Sequence, residues 1–178
     1  QNDTIDTRDM VKLGRTLPRW TGGLNATIRW KNLSLFTRVD FALGHIQTDF
    51  QQMWSLGSFQ GEFNATDLVK DTWTPENPNA KYPRYTWADQ LNSKNFDRAS
   101  SMFWVNSSYL AFREVSLTYT VPSAWLQKLK IAGLNVTATG QNLGYLTNKM
   151  LSLPERTGSQ NSAYTIPTSL ILGVNVTF

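Results

Sequence analysis

Residues 20–30 alternate along the chain. Trp20, Gly22, Leu24, Ala26, Ile28 and Trp30 share one parity, and Thr21, Gly23, Asn25, Thr27 and Arg29 the other. A period of two over this length predicts a β-strand. Lys31-Asn32 then suits a two-residue turn. In the next strand, 33–43, the apolar parity is odd: Leu33, Leu35, Thr37, Val39, Phe41 and Leu43. A two-residue hairpin requires this switch. It pairs 30 with 33, 28 with 35 and 26 with 37, so apolar row meets apolar row on one face. Alternation resumes near Tyr109 and is clearest at Val115, Leu117, Tyr119 and Val121, with Glu114, Ser116, Thr118 and Thr120 opposite. Pro122-Ser123 closes that strand, and Ser123 is placed to cap a short helical turn through Leu129. A fourth strand sets Leu134, Val136, Ala138 and Gly140 against Asn135, Thr137, Thr139 and Gln141. A fifth sets Leu170, Leu172, Val174, Val176 and Phe178 against Ser169, Ile171, Gly173, Asn175 and Thr177.

The segments between the strands carry no sustained period. Residues 46–105 include a short helical signal near Asp67 with Thr66 as its cap, then a block in which Pro75, Pro78 and Pro83 preclude regular structure. Residues 142–165 form a second long loop, so short and long connections alternate. That is the habit of outer-membrane barrels, with short periplasmic turns and long extracellular loops. None of the apolar rows contains Asp, Glu, Lys or Arg, whereas the opposite rows hold Arg29, Arg38, Asp40 and Glu114. Lipid imposes this exclusion, although the buried face of a soluble sandwich would impose it too.

The expected fold is therefore all-β, a transmembrane antiparallel β-barrel of which this chain supplies five strands. Five strands cannot close a membrane barrel, and an open sheet edge in lipid is not viable, so the reading requires a larger, C-terminally completed barrel. The expected organisation is an extracellular loop at 1–19, a β-hairpin at 20–45 and a long extracellular loop at 46–105. Two strands with a periplasmic turn follow at 106–141, then an extracellular loop at 142–165 and a terminal strand at 166–178. Trp20 and Trp30 fall at opposite ends of one strand, where aromatic girdles lie.

Composition narrows the chemistry. The 178 residues include no cysteine and one histidine, His45, so neither a thiolate nor a multi-histidine metal site is available, and no cofactor is expected. Net charge is +4 without a basic run, which gives nucleic-acid binding no support. A mean hydropathy of −0.35 would suit a soluble protein, but polar lumen rows dilute a barrel strand in the same way. Seven Asn-X-Ser/Thr sequons occur. They read as chance in Asn-, Ser- and Thr-rich lumen rows and loops rather than as glycosylation sites. His45 beside Asp40 or Asp49 would be the start of a hydrolase site, but no serine stands in a nucleophile context, so no enzyme is expected.

Several blocks resemble the SusC/RagA-type TonB-dependent outer-membrane transporters of Bacteroidetes. Asp71-Thr72-Trp73-Thr74-Pro75-Glu76-Asn77-Pro78-Asn79-Ala80-Lys81-Tyr82-Pro83-Arg84 is similar to their W-T-x-E-N-P-x-A-x-Y-P-R loop. Gly14 to Leu24 resembles G-x-x-x-P-x-x-x-G-G-L, Ser107 to Pro122 resembles S-Y-L-R-L-K-N-I-x-L-x-Y-x-L-P, and Gly140-Gln141-Asn142-Leu143 matches G-Q-N-L. Ala111 stands where the family often has Arg. The resemblance implies the C-terminal part of a barrel of about 22 strands, a size whose lumen is normally plugged. It places the plug domain and TonB box outside this chain. The implied partners are a SusD-like surface lipoprotein, TonB, outer-membrane lipid and an oligosaccharide or peptide substrate, with a dimer of transporter–lipoprotein pairs admitted. Passive porin action and an aromatic-rich carbohydrate-binding β-sandwich are the competing readings.

Within that frame, Trp54, Trp73, Tyr82, Arg84, Tyr85 and Trp87 in the long loop, with Asn77 and Asp89 among them, have the aromatic and polar character for sugar or peptide contacts. The same residues would equally pack the loop on itself or against a lipoprotein lid. Arg29, Arg38, Asp40 and Glu114 are the expected lumen-facing charges. Phe178 is the expected assembly signal and girdle residue.

Overall fold

The computed structural model describes residues 7–57, 66–86, 94–96, 100–127, 130–150, 152–155 and 166–178. Five strands form one antiparallel sheet: β1 (Trp20–Trp30), β2 (Leu33–Leu43), β5 (Tyr109–Thr120), β6 (Gly133–Thr147) and β7 (Ser169–Thr177), in that spatial order. Two short strands, β3 (Ile46–Thr48) and β4 (Trp104–Asn106), pair separately.

The hairpin register is the one the alternation demands, with Trp30 opposite Leu33, Ile28 opposite Leu35 and Ala26 opposite Thr37. The apolar tiers continue across all five strands. Ile28, Leu35, Leu117, Ala138 and Leu172 are successive cross-strand partners, and so are Trp30, Leu33, Tyr119, Val136 and Val174. This face is open: Leu24 and Ile28 are each 64% exposed, Leu170 83% and Leu172 84%. A sandwich would cover these side chains with a second sheet. The opposite face is polar. Its hydroxyls pair across strands, Ser116 with Thr139 at 2.8 Å and Thr118 with Thr137 at 3.1 Å, and the Thr120 hydroxyl donates to Asn135 at 2.8 Å.

One irregularity departs from the alternation. Register shifts at Arg113, which is passed over between Arg38–Glu114 and Val39–Phe112. On the other side Gln141 pairs with Glu114 and Gly144 with Phe112. The bulge uses left-handed backbone at Asn142 (φ 52°) and an unusual φ of 146° at Gly144. Beyond it the outward parity of β5 becomes even, with Phe112 and Leu110 opposite Val39 and Phe41. β6 also continues through the bulge to Thr147, six residues beyond the expected end at Gln141, because a bulge interrupts the period without ending the pairing.

The second compact unit comprises 1–17, 45–106 and 149–163. It contains α1 (Phe50–Gly57), a 3-10 turn at Asp67–Asp71 and another at Ser101–Phe103. Thr66 is the cap residue of the first turn, but its side chain makes no capping bond. In the sheet unit, α2 (Ser123–Leu126) is a single turn whose cap is Pro122 rather than Ser123, again without a side-chain bond.

Candidate functional site

The polar face of the sheet places the expected charged residues together. Asn25, Arg38, Glu114, Gln141 and Ser169 form one cross-strand tier. Asp40 lies one tier toward the long connections, opposite Gly23 and Ala111. Arg29 lies two tiers the other way, opposite Ser34. All four charged residues share a face because a strand repeats every two residues.

The residue missed by the alternation is Arg113. A regular strand would set it in the outward row with Val115; the bulge turns it onto the polar face. Its guanidinium binds Asp40 with both branches, Nε to Oδ1 and Nη2 to Oδ2 at 2.9 Å. Nη1 donates to the Tyr145 hydroxyl at 3.3 Å, and the guanidinium carbon lies 5.6 Å from the Tyr145 ring centre. Tyr109 meets Tyr145 edge to face at 5.9 Å. Asp40, Arg113, Tyr145 and Tyr109 thus make a preorganised patch with hydrogen-bonding groups and aromatic surface on the polar face of the sheet. The signal in the sequence was the change of apolar parity between Phe112 and Val115.

The expected loop contacts divide. Trp54 on α1 and Trp73 are exposed, at 53% and 37%. Arg84 is exposed and its carbonyl accepts from the Asn95 amide at 3.2 Å. Tyr82 is only 2% exposed; it sits in a core with Leu56, Phe96 and Phe103, and its hydroxyl accepts from Gln52 Nε2 at 2.6 Å. Its ring therefore packs the loop rather than facing a ligand. Tyr85 packs against the same core, its ring 6.4 Å from Phe96. Asn77 closes the Thr74 turn, its N–H donating to the Thr74 hydroxyl at 3.1 Å. Trp87 and Asp89 lie outside the described residues. Phe178 follows β7 and is 91% exposed.

Asp49 organises this unit. Fully buried, its Oδ1 accepts from the Ser152 hydroxyl (2.6 Å), the Ser152 N–H (3.1 Å) and the Gln52 N–H (3.1 Å). It caps α1 and fastens residues a hundred positions away to it. Nearby, Gln47 Nε2 donates to the Leu153 carbonyl at 3.0 Å. His45 is buried, which lowers its pKa from the ordinary 6.5, while a hydrogen bond to the Pro154 backbone opposes that shift.

No family model matches the chain. TonB-dependent receptor P26 of Formosa agariphila is 28% identical over 191 residues, which cover 98% of this chain and 18% of that protein. TonB-dependent receptor P3 of the same organism is 27% identical over 154 residues, covering 86% of this chain and 14% of that protein. The chain thus spans less than a fifth of the length of the curated relatives it matches. Among solved structures, the RagAB peptide importer in its closed-closed state superposes with a TM-score of 0.73 at 20% identity, over 94% of this chain and 18% of that one. The RagAB peptide transporter gives 0.66 at 19%, over 89% and 17%. These structures share the fold of the sheet described above. The chain is therefore similar in sequence to TonB-dependent receptors, and its sheet shares the fold of the matching part of the RagAB structures.

Proposed function

We propose that this chain is part of the wall of an outer-membrane barrel that imports oligomeric nutrients by TonB coupling, with a SusD-like lipoprotein at its outer mouth. The observation that carries the reading is the sidedness of the sheet. Apolar tiers run unbroken across five strands on one face, and every charged residue of the sheet described above lies on the other. In this reading the 31–32 and 121–132 connections are periplasmic, the long connections extracellular, and β1 and β7 pair with further strands of a barrel of about 22. Trp54, Trp73 and Arg84 are the loop residues exposed for substrate or lid contact, and the Asp40–Arg113–Tyr145 patch is wall that a peptide or sugar passes. The relatives are receptors and transporters, and the reading contains no enzymatic step.

The test is uptake by cells producing the full-length protein, measured with labelled oligopeptides and oligosaccharides in parallel. Energy-coupled import collapses when a protonophore is added or TonB is deleted. Uptake that persists under both treatments would establish a passive pore.

A further inference from the structure

The sheet is polarised in charge along its strands. Its only acidic residues are Asp40 and Glu114, and neither Met10–Val39 nor Val115–Pro154 contains an Asp or Glu. The end bearing the two short connections therefore carries Arg29, Lys31, Lys128 and Lys130 in the sequence, with no carboxylate in either connection. The same end is aromatic: Trp30 is 64% exposed, Trp125 is 66% exposed, and Tyr119 lies in the Trp30 tier.

Hydrogen bonds weld this end into one ledge. Asn32 Nδ2 donates to the Thr120 carbonyl at 2.8 Å, and Thr120 N–H donates to the Asn32 carbonyl at 2.9 Å. Val121 N–H donates to the Leu134 carbonyl at 2.9 Å and Ala132 N–H to the Thr177 carbonyl at 2.8 Å. Leu126, 3% exposed, seats α2 and leaves its neighbour Trp125 outside. The Lys31 ammonium lies 4.9 Å from the Trp30 ring centre.

We propose that this ledge binds the headgroup of an anionic phospholipid, with Lys31 and Lys130 as the cations and Trp30 and Trp125 at the boundary with the acyl chains. Exposed tryptophan prefers that boundary, and lysine near a membrane surface attracts anionic headgroups. The ledge also discriminates by charge. A zwitterionic lipid brings an ammonium, which the lysines repel and which no carboxylate in either connection offsets. The proposal rests on the apolar face being turned to lipid.

Two features make the test clean. Lys31 and Lys130 both have left-handed backbone, φ 51° and 55°, a conformation asparagine tolerates better than lysine. Lys31→Asn and Lys130→Asn therefore remove charge without straining the turns. The full-length transporter is purified, delipidated and titrated with phosphatidylglycerol or phosphatidylcholine, and bound lipids are counted by native mass spectrometry. The wild type retains phosphatidylglycerol in preference, and retention falls roughly fivefold per lysine removed while phosphatidylcholine binding is unchanged. Equal retention of the two lipids, unchanged phosphatidylglycerol binding in the double variant, or displacement of the lipid by millimolar inorganic phosphate would each overturn the proposal. Heat-modifiable electrophoretic migration is followed alongside. A wild type that never forms a barrel defeats the membrane reading, whereas an assembled barrel without lipid preference defeats only the headgroup site.

Discussion

Leu24→Arg is the sharpest challenge to the lipid-facing assignment. β1 has eleven residues. At about 3.3 Å per residue its ends are some 33 Å apart, and a tilt of about 40° leaves roughly 25 Å along the membrane normal. That equals the height of the apolar band of an outer-membrane barrel, also about 25 Å. Trp20 and Trp30 then mark the two rims, and Leu24, the fifth residue, falls near the midplane beside Val39. An arginine there costs about 2–4 kcal/mol, equivalent to about a 30- to 900-fold loss of folded over unfolded barrel. Leu43→Arg, at the Trp20 rim, costs about 0–1 kcal/mol, because the side chain reaches the interface. Thr27→Arg, on the polar face, stays within about 0.5 kcal/mol. The assay is folding of the full-length protein into vesicles across a urea series, scored by heat-modifiable migration. Equal losses at Leu24 and Leu43, or a larger loss at Thr27 than at Leu24, would refute a bilayer against this face.

Substitutions at Asp49, His45 and Gly22, with their controls, probe the remaining elements. Asp49→Ala strands three donors, at about 1–3 kcal/mol each, whereas Ser152→Ala removes the hydroxyl's bond to Asp49 and the weak one it accepts from the Gln51 N–H, leaving the two backbone donors on Asp49. Hydrogen exchange at 149–155 should therefore accelerate far more in the first variant, and equal protection in both would contradict Asp49 as the fastening point. Because burial lowers the His45 pKa in the folded state, the stability linked to this group is full above pH 6.5 and is lost as pH falls through the folded-state value. Exchange around 45–49 should rise on acidification and lose that dependence in His45→Gln; greater protection in acid would reverse the sign. Gly22→Ala brings a methyl to 2.7 Å from the Phe41 ring that covers the glycine, so the ring must swing away at about 1–3 kcal/mol. Gly22→Ala with Phe41→Leu should recover most of that loss, measured by the same urea series.

The strands of the first hairpin were legible residue by residue, because a two-residue turn and two alternating rows constrain each other. Once one register is chosen, every side chain is assigned a face. The same logic placed Arg29, Arg38, Asp40 and Glu114 on the polar side. It failed at Arg113, since a bulge inserts one residue into the period and the sequence marks it only by the parity change from Phe112 to Val115. It also ended β6 too early, because Asn142 and Gly144 look like strand breakers when they are the backbone that lets pairing continue. In the long connections there is no period to read. Trp54 and Tyr82 are both aromatic and each has one polar neighbour, Ser55 and Lys81, yet one faces solvent and the other lies in a core with Phe96 and Phe103. Local alternation determined which face each strand residue takes, because pleating is a property of neighbouring residues. Which loop aromatics stay exposed, what Arg113 grips and what Asp49 holds were decided by contacts between residues as many as 103 positions apart, and those exist only once the chain has folded.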